Sequence, residues 1–319
     1  MMDYIVLGAG ISGATISNHL KKKYSVLVID KARGPGGRSS NRRWKKNLTF
    51  DHGLQYFSSN KRAFLKNLSF LAKKKVLKVW DGNHLDFFFS YTKSKKFIGV
   101  KGNNDLVKHY LRNTQTLYKT KIVKINFNNH WTICDDNKNV YNCKKLIITF
   151  PYDQTLKLAG KYLGKKIKKL KIKMEPNLTV MAVYKKRKKV SLSSIKFDDD
   201  ILTWAANENS KNRFKSNFDL WTLQASNFFS KKHILDYKKN KNNISSKILK
   251  RFEILCGHKK KDLIYYQIHG WLYSYNKEKT QFSHYWNKKN KLGVCGDWFL
   301  GPKAENSFLS ANSLYNEIK

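Results

Sequence analysis

Apolar residues repeat along this chain in two ways. Tyr4-Ile5-Val6-Leu7 and Tyr24 to Ile29 (YSVLVI) are short, continuous apolar runs, the pattern of strands buried on both faces. Between them, Ala14 to Lys23 places Ile16 and Leu20 one turn apart and predicts a helix. The helical period returns at Ala63, Leu65, Leu68 and Leu71, over Asp105 to Leu111, and at Ile244, Ile248, Phe252 and Leu255. It appears last at Phe308, Ala311, Leu314, Tyr315 and Ile318, the apolar face of a C-terminal helix. Short strands are predicted at Lys121 to Phe127, His130 to Cys134, Val140 to Cys143 and Lys145 to Phe150. Asn128-Asn129 and Asp135-Asp136-Asn137 supply turns between them. Further strands fall at Val180 to Tyr184, Ile201 to Ala206, Asp219 to Ser226 and Leu292 to Cys295. The lysine run 185–189 is expected at a hairpin turn or strand end.

The first strand ends in Gly8-Ala9-Gly10-Ile11-Ser12-Gly13, and the second ends at Asp30. Strand, G-x-G-x-x-G, helix, strand and acid in that order form a dinucleotide-binding unit. Gly8 permits a tight turn, Gly10 lets the backbone approach a pyrophosphate, and Gly13 lets helix pack on strand. The helix start at Ile11 and Ser12 offers unpaired N–H groups to phosphate, and Asp30 can accept from a ribose.

Composition narrows the picture. The 319 residues carry 64 Lys+Arg against 22 Asp+Glu, a formal charge of +42, with 41% hydrophobic and 14% aromatic residues. That much apolar surface excludes a disordered basic tail, and the length suits about two domains. The charge invites nucleic acid or an anionic membrane surface. Only nine of the basic residues are Arg, however, and the lysines are scattered in short runs. Such a pattern fits a solvated surface and argues against nucleic acid as partner. Cys134, Cys143, Cys256 and Cys295 form no C-x-x-C, the nine histidines show no metal spacing, and no metal is expected. Asp3 stands where a signal peptide needs positive charge, and no window is apolar enough to span a bilayer, so a cytoplasmic protein without a transmembrane segment is expected.

Beyond Asp30-Lys31 the chain continues into Gly34-Pro35-Gly36-Gly37-Arg38, which resembles the G-G-R segment of flavin-dependent amine oxidases. Asp51-His52-Gly53-Leu54-Gln55-Tyr56-Phe57 resembles the D-H-G-x-Q-Y-F segment of renalase-like flavoproteins, a branch of that superfamily. Asn207 to Lys211, Trp221 to Ser226, His269 to Ser274, Gly293 to Trp298 and Glu305 to Ser310 are similar to further segments of the branch, in its order. The departures are Gly270, where the family usually has Arg, Asn306-Ser307 in place of Gly-Ala, and Lys211-Asn212-Arg213 in place of S-K-P-G-R-like residues.

The resemblance implies FAD as cofactor. It implies an α/β fold in which a Rossmann-like FAD-binding domain, a parallel sheet with a β-meander crossover, joins a mixed α+β substrate domain. The expected division is discontinuous, with residues 1–60, 97–150 and 291–319 in the FAD-binding domain and 61–96 and 151–290 in the substrate domain. For the cofactor it implies Gly8, Gly10, Ile11, Ser12, Gly13, Asp30, Lys31, Gly37, Arg38, His52, Gly53, Val123, Gly296, Asp297, Asn306 and Ser307. Arg38 would lie along the diphosphate, Val123 would meet adenine through its backbone, and Asp297 would accept from the ribityl chain. The C-terminal helix would aim its positive end at the flavin. Gln55, Tyr56, His269 and Trp271 are the candidates to face substrate, although the aromatics and the histidine also suit a core.

For activity it implies hydride transfer from a small-molecule substrate, a reduced dihydronicotinamide dinucleotide isomer, with O2 as electron acceptor. Two alternatives remain open: an amine oxidase or desaturase acting on a small amine or isoprenoid-like molecule, and a basic FAD-containing protein that docks on nucleic acid or membrane.

Overall fold

A computed structural model describes residues 1–45, 47–86, 88, 90–92, 95–187 and 192–319. Lys188 and Lys189 of the lysine run lie outside the described residues, and its first member, Lys185, ends a strand.

Two sheets organise the fold. In the larger one, Leu292–Val294, Val140–Ile148, Met2–Leu7, Val26–Ile29 and Gln115–Leu117 run parallel in that spatial order, with Tyr285–Asn287 antiparallel on one edge. Alternation explains why its central strands are continuously apolar. Tyr4, Val6, Val26 and Val28 face a layer containing the helices Ile11–Leu20 and Ala304–Ile318, while Ile5, Leu7, Leu27 and Ile29 face Trp131, Ile133 and Tyr152. The result is an α/β fold with a Rossmann-like parallel sheet.

The predicted strands over 140–143 and 145–150 are one strand, Val140–Ile148. Its first half pairs antiparallel with His130–Asp135 in the meander, and its second half enters the parallel sheet. Cys143 stands at the junction, opposite both Met2 and Trp131. Lys144 does not interrupt the strand because it points to solvent between buried Cys143 and Leu146. The helix Arg62–Lys73 differs from expectation in its facing: Phe64, Leu68 and Leu71 are buried, and Leu65 is exposed. Spacings of four and three residues keep that trio on one stripe, and Leu65 falls about 100° around from Phe64.

The second sheet has the order Leu263–Asn276, Met174–Lys185, Phe218–Ala225, Leu202–Asn207, Leu192–Lys196, Asn83–Leu85. Its pairings are antiparallel except the last. Helices Asn227–His233 and Lys241–Cys256 cover one face, where Val180, Ala182, Tyr184, Ile248 and Phe252 pack together. The 14-residue strand Leu263–Asn276 is absent from the pattern-based expectation. It mixes half-buried and exposed positions with little aliphatic content, which leaves no clean alternation to read. No helix among the described residues is long and apolar enough to cross a membrane.

Candidate active site

A cavity of about 2330 Å³ runs from the Gly8 turn to the Leu263–Asn276 strand. Single drug-sized ligands usually occupy ~300–1,000 Å³, so this space suits an elongated ligand together with a second molecule.

The nucleotide end is built by local geometry. Gly8 has φ of 108° and donates its N–H to the Ile29 carbonyl at 2.8 Å, which ties the turn to the next strand. A Cβ on Gly13 would overlap the Gly8 carbonyl oxygen, whereas a Cβ on Gly10 would meet nothing within 4 Å. Gly10, Ile11 and Ser12 line the cavity at the start of the Ile11–Leu20 helix, whose first N–H groups have no intrahelical partner. The Asp30 carboxylate accepts from the Ala9 and Ala32 amides, both at 2.7 Å, and lines the same end with Lys31. This open glycine, donor-rich helix start and strand-end acid fit the adenosine diphosphate half of a dinucleotide cofactor.

The middle of the cavity is a clamp between the two sheets. Arg38 donates to Asp297 through both terminal nitrogens, at 2.8 and 2.6 Å, and to the Ser274 carbonyl at 2.7 Å. The structure therefore places these two residues against each other, joining the Gly37–Ser39 turn, the closing segment and the second sheet. Gly53 packs on the Arg38 carbonyl so closely that a Cβ would overlap it. Ala304 and Ser307, in the first turn of the C-terminal helix, also line the wall.

At the far end, His269 and Trp271 project from one face of their strand, and His52 stands against both. Ring centroids lie 4.9 Å apart for His52 and His269, 5.1 Å for His52 and Trp271, and 4.4 Å for His269 and Trp271. Trp271 Nε1 donates to the His52 carbonyl at 2.8 Å. Burial, then the neighbouring His269 and Arg42, lowers His52 to about 3. Burial, with Arg42 second, lowers His269 to about 4. Both imidazoles are therefore neutral at pH 7 and able to hold a proton at one nitrogen and accept at the other. Tyr56 lines the cavity beside Trp80 and Trp204, and Gln55 donates to the Asp51 carbonyl. Gln224, which no motif singled out as a site residue, donates to the Gly53 carbonyl at 2.7 Å and lines the wall.

Four expected cofactor residues lie outside the cavity wall. Gly13 packs against Gly8, and Val123 is half exposed on the Ile122–Asn128 strand. Gly296 backs onto the Trp298 indole and donates its N–H to Ser310. The Asn306 amide donates to the Leu300 and Gly301 carbonyls and so ties a turn. The two glycines carry no side chain and are covered by neighbouring groups, the Gly8 carbonyl and the Trp298 indole, while the Asn306 amide is engaged in its turn and Val123 lies at the surface.

Behind the His52 to Tyr56 segment lies a buried charge cluster that sequence reasoning missed. Lys211 Nζ reaches Asp51 at 2.8 Å and Glu208 at 2.9 Å, and Arg213 reaches Asp51 at 2.5 Å, with all four side chains at most 2% exposed. Burial alone would raise Asp51, but Arg213 and Lys211 outweigh it and hold the carboxyl low. For Glu208 burial prevails over Lys211 and pushes the carboxyl up. Among the described residues no group of His, Cys, Asp and Glu could hold a metal ion.

The class of fold this defines is a Rossmann-like nucleotide domain joined to a sheet-based second lobe. Residues 6–68 match the family model of the NAD(P)-binding Rossmann-like domain. In overall structure the chain is similar to a candidate protoporphyrinogen oxidase from Exiguobacterium sp. 255-15, with TM-score 0.74 and 9% identity over 99% of this chain and 98% of that one. It is similar also to putrescine oxidase bound to putrescine, with TM-score 0.70 and 10% identity over 99% and 98%. By sequence, an uncharacterized protein of Methanocaldococcus jannaschii is 24% identical over 180 residues, 47% of this chain and 48% of the relative. The chain thus spans about half the length of that curated relative.

Proposed function

We propose that the protein is an FAD-dependent oxidoreductase that takes a hydride from a reduced dihydronicotinamide dinucleotide isomer, with O2 as electron acceptor. One observation carries this reading: a dinucleotide cradle opens without interruption into a chamber walled by His52, His269 and Trp271. A flavin, when bound, supplies two-electron redox chemistry. The Gly8 to Ser12 turn and Asp30 would hold its adenosine end. The Gly37–Ser39 turn, the Arg38–Asp297 pair and Ser307 would flank its middle, and Gly53 and Gln224 would position the wall beside its ring.

Trp271 offers a flat face for a planar substrate. His52 and His269, kept neutral by burial, orient polar atoms without adding positive charge. An amine substrate, the reading favoured by likeness to putrescine oxidase, is a cation at neutral pH. This cavity opposes it: Arg42, Arg43, Lys101, Lys196 and Lys303 line the wall, and among the described residues its carboxylates are Asp30 and Asp297 alone. Repulsion from this surplus of cations disfavours a diamine and favours an anionic dinucleotide.

The test is direct. Purified protein is expected to be yellow and to release FAD on denaturation. Anaerobic mixing with 2- or 6-dihydro-NAD(P) should bleach the flavin faster than ordinary NAD(P)H or putrescine does. A colourless protein that also fails FAD reconstitution overturns the cofactor, and fastest bleaching by putrescine overturns the substrate.

A further inference from the structure

We propose that Arg42, with Arg43 beside it, forms an anion subsite at the far end of the cavity that binds a phosphate or carboxylate group of the substrate; the inference rests on the oxidoreductase reading above.

Position 270, where the resemblance leads one to expect an arginine, cannot serve this purpose. A Cβ there would meet the Tyr237 ring at 2.5 Å and Ile234 at 2.9 Å, residues of the helix-covered face. Strand alternation turns 268 and 270 toward those helices and 267, 269 and 271 toward the cavity. An arginine side chain at 270 would therefore leave on the wrong face of the sheet. An anionic substrate group needs another cation.

Arg42 meets that need. It sits on the Arg42–Lys45 strand, paired with Leu48–Phe50, and its register partner Phe50 is 1% exposed, so the hairpin is anchored in a core. Arg42 is half-buried, Arg43 is exposed, and both line the cavity with Thr49, Lys196 and Gln267. Neither arginine forms an ion pair among the described residues. The two carboxylates of the wall are engaged elsewhere, Asp30 by the Ala9 and Ala32 amides and Asp297 by Arg38. Arg42 is also near enough to His52 and His269 to oppose their protonation, which sets its charge beside the aromatic wall. A half-buried guanidinium without a counter-ion has lost hydration that an anion can replace, and its fork suits the paired oxygens of phosphate or carboxylate.

Flavin-loaded protein titrated with inorganic phosphate and, separately, with benzoate tests this through the flavin absorbance and tryptophan fluorescence. At least one anion is expected to bind, and Arg42→Gln should weaken it by about tenfold at unchanged flavin content. Stronger binding of phosphate assigns a phosphate ester, and stronger binding of benzoate a carboxylate. If Arg42→Gln fails to fold, Arg42→Lys, which keeps the charge but loses the fork, should weaken binding by about threefold. Flavin-loaded protein that binds neither anion, or a folded variant that binds as wild type does, overturns the subsite. A protein that neither holds nor takes up flavin overturns the broader function instead, so the two failures are distinct.

Discussion

Two glycines three positions apart have opposite structural needs. Gly13 has no room for a methyl group because the Gly8 carbonyl fills that space, whereas Gly10 opens on the cavity. Gly13→Ala should therefore unfold the turn, lowering the melting temperature and flavin content together. Gly10→Ala should melt as wild type does but retain less flavin, since its methyl would occupy the approach to the pyrophosphate. Thermal melts paired with flavin quantification check both, and equal melting temperatures for the two variants would contradict the assignment. This contrast was legible in the sequence, because G-x-G-x-x-G fixes a local backbone path. The ion pair of Arg38 with Asp297 was not, because 259 positions separate its partners and only the closed fold unites them.

The buried histidines give a pH dependence at the same scale. Burial lowers His52 to about 3, and His258 and His269 each to about 4. The unfolded chain binds protons at these positions near ~6.5, and the folded chain resists them until far lower pH. Stability is therefore full above that range and lost as pH falls through 6.5 toward 4. Melting temperature should decline over this window, and His258→Gln should make the decline shallower. His258 is chosen because it lies outside the cavity wall, packed between Tyr184, Trp221 and Phe252, so its effect reads stability alone.

At the scale of elements, the cluster of Asp51, Glu208, Lys211 and Arg213 joins the segment after the first hairpin to the loop between two strands of the second sheet. Asn103 extends it, donating its N–H to Asp51 at 3.1 Å and its amide to the Leu54 carbonyl at 2.7 Å. Lys211→Met would leave two carboxylates buried together with one cation. Breaking such a pair costs ~3–5 kcal/mol, which a lowered urea midpoint would reveal. Adding Glu208→Gln should recover part of the loss by removing the surplus charge; a double variant no more stable than Lys211→Met would show that the cluster is not coupled as its distances imply. The sequence presented Lys211 as the end of a family-like segment and, with Arg213, as part of a departure from it, with no sign that they meet an aspartate some 160 positions earlier. Periodicity likewise located the central strands and the longer helices, but strands of three to five residues such as Leu77–Val79 and Gln115–Leu117 are too short to show a period. It failed where one strand serves two pairings, at Val140–Ile148, and where an edge strand lacks alternation, at Leu263–Asn276.

For the whole molecule, 22 acids cannot neutralise 64 bases, so a formal charge of +42 remains however the surface is arranged. Two consequences have opposite dependence on salt. Mutual repulsion among surface lysines destabilises the compact state, and salt relieves it, so the melting temperature should rise as NaCl increases from about 0.02 to 0.5 M. On the proposed function, capture of a polyanionic dinucleotide would draw on the same field and weaken as the field is screened. The second-order rate of flavin reduction by 6-dihydro-NADP should therefore fall about tenfold across that range. An uncharged dihydronicotinamide such as the 1-methyl derivative experiences no such attraction, and its rate should change little. Stopped-flow reduction with both donors separates the effects. If the dinucleotide rate ignores salt while the melting temperature climbs, the charge acts on the fold and takes no part in substrate capture. If both move as expected, the lysines scattered over the surface and the arginines at the end of the cavity act in series, the first raising encounter frequency and the second holding the anion once it has entered.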